Sequence, residues 1–306
     1  MAVAVQAQWD TLSAQFSHIA EQADKFVVVV HGGSRIAASG ILWRSDIVVT
    51  ANHMLRRTGE YEVRIWDKSS RKAALIGRDP GTDLAVLRTE GSTSDAVQLG
   101  NAGELRVGQL VMAIGRSTLG DLSASTGIIA RLGDSWQTWR GGRIDSLLRP
   151  DVTLYRGQSG SALVDSRARV LGMNTSALAR SAAITVPNTT VDRVVGEILQ
   201  HGAVFRPYLG LAMQPIAVPP ELKAKLNLQS ETALMVMQVE ASSPSAEAGI
   251  MLGDVIVGIA GALVEGIEQI QRALSSSRRG HSLDIEYVRG GQLASANVKL
   301  ADRPRN

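Results

Sequence analysis

Cysteine is missing from all 306 residues. That excludes disulfides and every thiolate-ligated metal site, so no covalent cross-link between side-chain thiols holds the fold. Long apolar runs are missing too: no stretch approaches the ~20 consecutive apolar residues that a membrane-spanning helix needs. Neither sign of charge dominates, since 32 Lys and Arg against 29 Asp and Glu leave a net +3. The basic residues are not clustered as nucleic-acid binding requires. The short stretch Ser275-Ser276-Ser277-Arg278-Arg279-Gly280 reads as a solvated loop. No basic segment followed by an apolar core opens the chain, so no signal peptide is visible. Together with the missing cysteine this gives the expectation of a cytoplasmic protein, the alternative being a periplasmic one with a trimmed N-terminus. No motif asks for a metal or any other cofactor.

What is present suits a folded protein of about two domains: 44% hydrophobic residues and a length near twice the usual domain. Residues 8–24 form an amphipathic helix with Trp9, Leu12, Phe16 and Ile19 on one face. That face packs either on its own domain or on another subunit. From Phe26 to about Ala130 the signals are short strands and turns. Phe26-Val27-Val28-Val29-Val30 is strongly β-forming, and Tyr61 to Trp66 alternates with period two. Many short strands of this kind imply a barrel or a sandwich. Residues 132–146 read as a loop carrying Trp136 and Trp139. Val191 to His201 reads as a helix closing this part, and Arg206-Pro207 marks a boundary.

The chemistry centres on Arg156-Gly157-Gln158-Ser159-Gly160-Ser161. A serine between glycines on a tight turn suits a nucleophile, because the backbone can turn sharply and let a carbonyl approach. A hydroxyl needs a base. Ile47-Val48-Val49-Thr50-Ala51-Asn52-His53 runs a β-branched strand into a histidine. Asp79-Pro80-Gly81-Thr82-Asp83-Leu84-Ala85-Val86-Leu87 places an aspartate at the head of an apolar strand. Asp79 lies in a turn signature and is assigned to that turn's backbone. Asp83 is left to orient the histidine. The order His, Asp, Ser is that of chymotrypsin-type proteases. An α/β-hydrolase needs glycine at position 161 and a catalytic histidine after the serine; only His201 and His281 follow, in helix-end and loop contexts.

With these residues the chain resembles the HtrA/Deg proteases, trypsin-like domains followed by a PDZ domain. Thr50-Ala51-Asn52-His53 is similar to their histidine motif, and Gly77 to Leu87 to their aspartate motif. Gly157-Gln158-Ser159-Gly160-Ser161 resembles their Gly-Asn-Ser-Gly-Gly, departing at Gln158 and Ser161. Ser243-Pro244-Ser245-Ala246-Glu247-Ala248-Gly249 through Ile256 resembles their PDZ segment.

The resemblance implies a mostly β chain, a chymotrypsin-like double β-barrel over 25–204 after the helix of 1–24, and a PDZ domain over 207–301. It implies a serine endopeptidase of protein quality control, acting on unfolded or damaged protein without ATP. Its triad is His53, Asp83 and Ser159, with the amides of Gly157 and Ser159 as the oxyanion hole. Leu154 and a wall of Asn174, Thr175 and Ser176 line the pocket. Thr153 stands where a Lys/Arg-specific enzyme has an aspartate, so the pocket is expected to favour small or medium aliphatic side chains. The 132–146 segment matches the family's sensor loop. The family's long insertion after the first strand is replaced by Gly32-Gly33-Ser34-Arg35-Ile36. The expected partners are unfolded protein or peptide substrates and peptide C-termini, the latter held by Tyr208, Leu209, Gly210 and Leu211. Ile267, Ile270 and Leu274 either form the groove's apolar wall or fill the PDZ core. A homotrimer is expected, without nucleic acid or a membrane span. The competing class is a protease fold serving as a PDZ-bearing binding or chaperone module.

Overall fold

The computed structural model describes residues 2–33, 36–56, 60–91, 97–179, 183–277 and 280–302. Ser34, Arg35, Arg278 and Arg279 of the segments discussed above lie outside the described residues. The chain divides into two units, Met1–Val204 and Phe205–Asn306.

The first unit opens with α1 (Ala2–Asp24). Six strands follow: β1 (Val27–His31), β2 (Ala38–Arg44), β3 (Ile47–Ala51), β4 (Tyr61–Arg64), β5 (Ser70–Asp79) and β6 (Leu84–Thr89). They close into a barrel in the order β1-β2-β3-β6-β5-β4. The β-branched runs fill it: Val27, Val28, Val30, Val48 and Val49 are fully buried. A second set comprises β7 (Leu110–Arg116), β8 (Leu122–Gly133), the small hairpin β9 (Trp136–Gln137) and β10 (Arg143–Ile144), then β11 (Leu147–Pro150), β12 (Ala162–Val164), β13 (Val170–Thr175) and β14 (Ile184–Pro187). All but the hairpin close a second barrel in the order β11-β14-β13-β12-β7-β8. α2 (Asn188–His201) buries Val191, Val194, Val195 and Ile198 against the core and ends at Gly202 with φ 72°.

α1 is split in its packing. Ile19 and Ala23 are buried in the core and Phe16 packs against it, whereas Trp9 is 64% exposed. The end of the helix is pinned by the buried Arg116, whose guanidinium donates to the Asp24 carboxylate at 2.6 Å and to the Val27 carbonyl at 2.8 Å. The tryptophans of the 132–146 segment part company as well. Trp136 packs against the core, and Trp139 is exposed with the Arg140 guanidinium 4.4 Å above its ring.

The second unit contains β15 (Pro207–Tyr208), β16 (Leu211–Ala217), α3 (Pro220–Leu226), β17 (Thr232–Val239), α4 (Pro244–Glu247), β18 (Val255–Ile259), β19 (Ala262–Leu263), α5 (Ile267–Ser275), β20 (Ser282–Arg289), β21 (Gln292–Lys299) and β22 (Ala301–Asp302). Its sheet runs β16-β17-β18-β20-β21, which leaves β16 on an edge. Leu234, Val236, Ile256, Ile270 and Ile285 form its core. The buried Asp254 is held by Arg289, whose Nε and Nη2 donate to the two carboxylate oxygens at 2.7 Å. That carboxylate raises the Arg289 pKa above its ordinary value. Among the described residues no helix is long and apolar enough to cross a membrane.

Candidate active site

His53 follows β3 in a single 3-10 turn, Asn52–Met54. Asp83 sits at the end of the Pro80–Thr82 turn, just before β6. Its φ of 59° is a conformation that Asp tolerates better than most residues. β3 and β6 are neighbours in register, with Ala51 opposite Leu84, so the ends of both strands deliver the two residues to one place. His53 Nδ1 lies 2.7 Å from Asp83 Oδ2, and the His53 amide donates to Asp83 Oδ1 at 2.9 Å. A carboxylate can only accept, so Nδ1 carries the proton and Nε2 is left as the base. Thr175 of β13 closes the arrangement: its hydroxyl donates to Asp83 Oδ2 at 2.5 Å. The carboxylate is 1% exposed and takes three hydrogen bonds in all. Asp79 does something else. It accepts from the Gly81 amide and the Thr82 hydroxyl and so shapes the turn that presents Asp83.

Ser159 comes from the turn before β12, in the second barrel. Gly157 and Gly160 hold φ of 90° and 94°, in the left-handed region that favours glycine. At Gly160 space is closed too: a Cβ there would stand 2.0 Å from the Ser39 carbonyl oxygen. Ser39 of β2 ties the barrels together. Its amide donates to the Gly157 carbonyl at 2.8 Å, and its hydroxyl accepts from the Arg116 amide at 2.9 Å. Gln158 is 1% exposed; its side chain accepts from the Tyr155 amide and donates to the Ser123 hydroxyl, which fixes the turn from behind. Ser161 is buried, and its hydroxyl accepts from the Asn174 amide group at 3.1 Å. Ser39 and Thr175 act through contacts between distant strands, and no local pattern in the sequence marks those contacts.

The structure thus joins His53 to Asp83 directly. Among the described residues no hydrogen bond joins Ser159 to His53. The Ser159 hydroxyl instead meets the Ser176 hydroxyl at 3.1 Å and the Ser176 amide at 3.4 Å. The amides of Gly157 and Ser159 donate to no acceptor among the described residues.

A cavity of about 610 Å³ lies beside this point, lined by Leu154 and Ser176 among others. The expected wall needs correction. Asn174 and Thr175 are fully buried and turn away from the cavity: Asn174 bonds Ser161 and Thr185, Thr175 bonds Asp83, and only Ser176 of the three lines the space. The lining is also less apolar than expected, since it includes Arg131, Arg149 and Asp151.

In the second unit, Leu209 is buried in the core, and Tyr208 donates its hydroxyl to Glu240. Gly210, φ 78°, is required by its neighbour: a Cβ there would meet Ser243 at 2.2 Å. Leu211 begins the edge strand β16 and packs partly on the core. On α5, Ile270 fills the core, Leu274 packs against it, and Ile267 is 39% exposed.

Residues 38–173 match the family model of the trypsin-like peptidase domain, and residues 207–300 that of the PDZ domain. A probable periplasmic serine endoprotease, DegP-like, of Bartonella henselae is 30% identical over 275 residues, which are 88% of this chain and 54% of that protein. Its namesake in Pseudomonas putida strain GB-1 is 29% identical over 87% of this chain and 56% of its own length.

This chain carries a trypsin-like peptidase domain followed by a PDZ domain and is similar to HtrA-type and DegP-like serine endoproteases.

Among solved structures, the HtrA-type protease AlgW with a tripeptide aligns with a TM-score of 0.71 at 25% identity, over 95% of this chain and 98% of that one. The serine endoprotease from Yersinia pestis aligns with a TM-score of 0.75 at 22% identity, over 94% and 98%. The chain spans about half the length of the curated HtrA/Deg relatives it matches. Those relatives are named periplasmic, which overturns the expectation of a cytoplasmic protein. That expectation rested on missing cysteine and a missing leader, and lack of cysteine does not separate the two compartments.

Proposed function

We propose that this chain is an HtrA/Deg-type serine endopeptidase of protein quality control, working in the periplasm without ATP on unfolded or damaged protein. The observation that carries the reading is the His53–Asp83–Thr175 hydrogen-bond chain beside Ser159, with the Gly157 and Ser159 amides unengaged. In the reaction, Ser159 rotates from Ser176 toward His53, and Nε2 takes the hydroxyl proton as Oγ attacks the substrate carbonyl carbon. Asp83 stabilises the imidazolium that forms and is not itself protonated. The amides of Gly157 and Ser159 donate to the developing oxyanion. The imidazolium then gives its proton to the departing amine, leaving an acyl-enzyme on Ser159 Oγ. Water, activated by the same imidazole, releases the acid product.

The second unit binds peptide C-termini along the free edge of β16, as an added strand whose carboxylate meets the Tyr208–Leu211 turn. Ile267, beside the core-filling Ile270, offers the exposed apolar contact on α5. The exposed Trp9 end of α1 is the contact for a homotrimer, since an apolar aromatic face without a partner in its own unit suits another subunit. Labelling of the purified chain with a fluorophosphonate, which reacts with activated serines, decides the chemistry: stoichiometric label that maps to Ser159 is expected. Label elsewhere, or none on protein that retains its fold, would remove the reading. A fragment of residues 207–301 should bind peptides with apolar C-termini by fluorescence; no binding would remove the groove.

A further inference from the structure

The cavity beside Ser159 carries a charge arrangement that an aliphatic pocket does not need. Arg131 of β8 and Arg149 of β11 stand directly opposite each other in register, and both line the cavity. Like charges placed opposite across a strand pair are destabilising. Neither guanidinium makes a hydrogen bond or an ion pair among the described residues, and neighbouring Asp151, the one acid in the lining, bonds neither of them. Two planar, permanently charged donor groups that line one space, without a protein acceptor among the described residues, suit a carboxylate, which a guanidinium binds with paired N–H donors. The position of the cavity matters as much. Leu154 and Ser176 line its wall, and Ser176 Oγ is 3.1 Å from Ser159 Oγ, so one wall of the cavity lies against the nucleophile. Its volume of about 610 Å³ is in the range of pockets that take whole ligands, far more than a valine side chain fills.

We propose that this cavity selects a substrate glutamate as the residue on the N-terminal side of the cut bond. The glutamate stem lies against Leu154 and Val152, and its carboxylate reaches Arg131 and Arg149. Asp151 opposes the same carboxylate and tempers the preference. The inference rests on the endopeptidase reading and names its substrate class.

The test uses the full chain and four fluorogenic peptides that differ only in the residue before the cut: Glu, its neutral isostere Gln, Leu and Arg. The readout is the Glu-to-Gln ratio of kcat/KM measured on one preparation, so a variant's folded fraction cancels. A ratio of about ten is expected, the difference between a charge-assisted and a neutral hydrogen bond, with Arg the slowest peptide. The ratio should fall to about one or below in Arg131→Gln/Arg149→Gln and rise several-fold in Asp151→Asn. It should also decline as salt rises, because both arginines are solvent-exposed. If Gln and Leu peptides are cut while the wild-type ratio is one or less, or if the ratio ignores both the arginine variant and salt, the inference is overturned and the endopeptidase reading stands. If no peptide is cut and Ser159 takes no fluorophosphonate, the endopeptidase reading itself falls.

Discussion

Thr175→Val removes one hydroxyl and keeps the shape of the side chain, on a strand where valine is well suited. The hydroxyl it removes donates to Asp83 Oδ2 at 2.5 Å, inside a carboxylate site that is 1% exposed. Water cannot replace the lost donor without opening the site. A hydrogen bond to a charged group is worth about 1.5–3 kcal/mol. If that is lost where Asp83 must stabilise the imidazolium, kcat/KM falls about 10- to 150-fold, at ~1.4 kcal/mol per tenfold. The same hydroxyl accepts from the Ala177 amide at 3.0 Å, so a small loss of stability accompanies the change. Thr175→Ser keeps the hydroxyl and should recover most of the rate. The assay is peptide hydrolysis for the three proteins, with thermal unfolding alongside to show that they are folded. A Val variant within twofold of wild type, when Ser159→Ala is inactive, would refute the claim that Thr175 holds Asp83 for catalysis.

Three further outcomes follow from particular contacts. Gly160→Ala drives a Cβ into the Ser39 carbonyl at a φ of 94°, and should cost about 3 kcal/mol or more in denaturant unfolding. Ser176→Ala releases the Ser159 hydroxyl from its present partner, and should raise the fluorophosphonate labelling rate about two- to tenfold, the worth of one neutral hydrogen bond; a slower rate would mean that Ser176 aids the nucleophile. Deleting residues 1–22 removes Trp9 and should shift the mass by light scattering from trimer toward monomer, whereas an unchanged mass would leave α1 as an internal element.

The parts that were legible in the sequence are those with local causes. β1 and β3 are runs of β-branched residues, and α2 shows its buried stripe at helical spacing. The assignment of Asp79 to the turn backbone and Asp83 to the histidine needed only the turn chemistry, and the structure places both carboxylates so. β5, the longest strand of the first barrel, was missed because Arg71 and Lys72 sit in a half-exposed strand with no clean alternation. β21 escaped because its inward positions before Val298 are the small Ala294 and Ala296, which make a weak apolar alternation. The wall of the pocket was misread because the contacts that turn Asn174 and Thr175 inward are made by residues far along the chain: Asp83 is 92 residues from Thr175. The paired arginines of the cavity depend on the register of β8 with β11, which composition and spacing do not reveal.

The central claim is that Ser159, driven by His53 and Asp83, hydrolyses peptide bonds. The most direct measurement is turnover of unfolded casein by the purified chain beside its Ser159→Ala variant, both shown to be folded. The account predicts cleavage by the first and none above background by the second, with His53→Ala/Ser159→Ala losing little beyond either single change. Equal cleavage by the chain and its Ser159→Ala variant would contradict it.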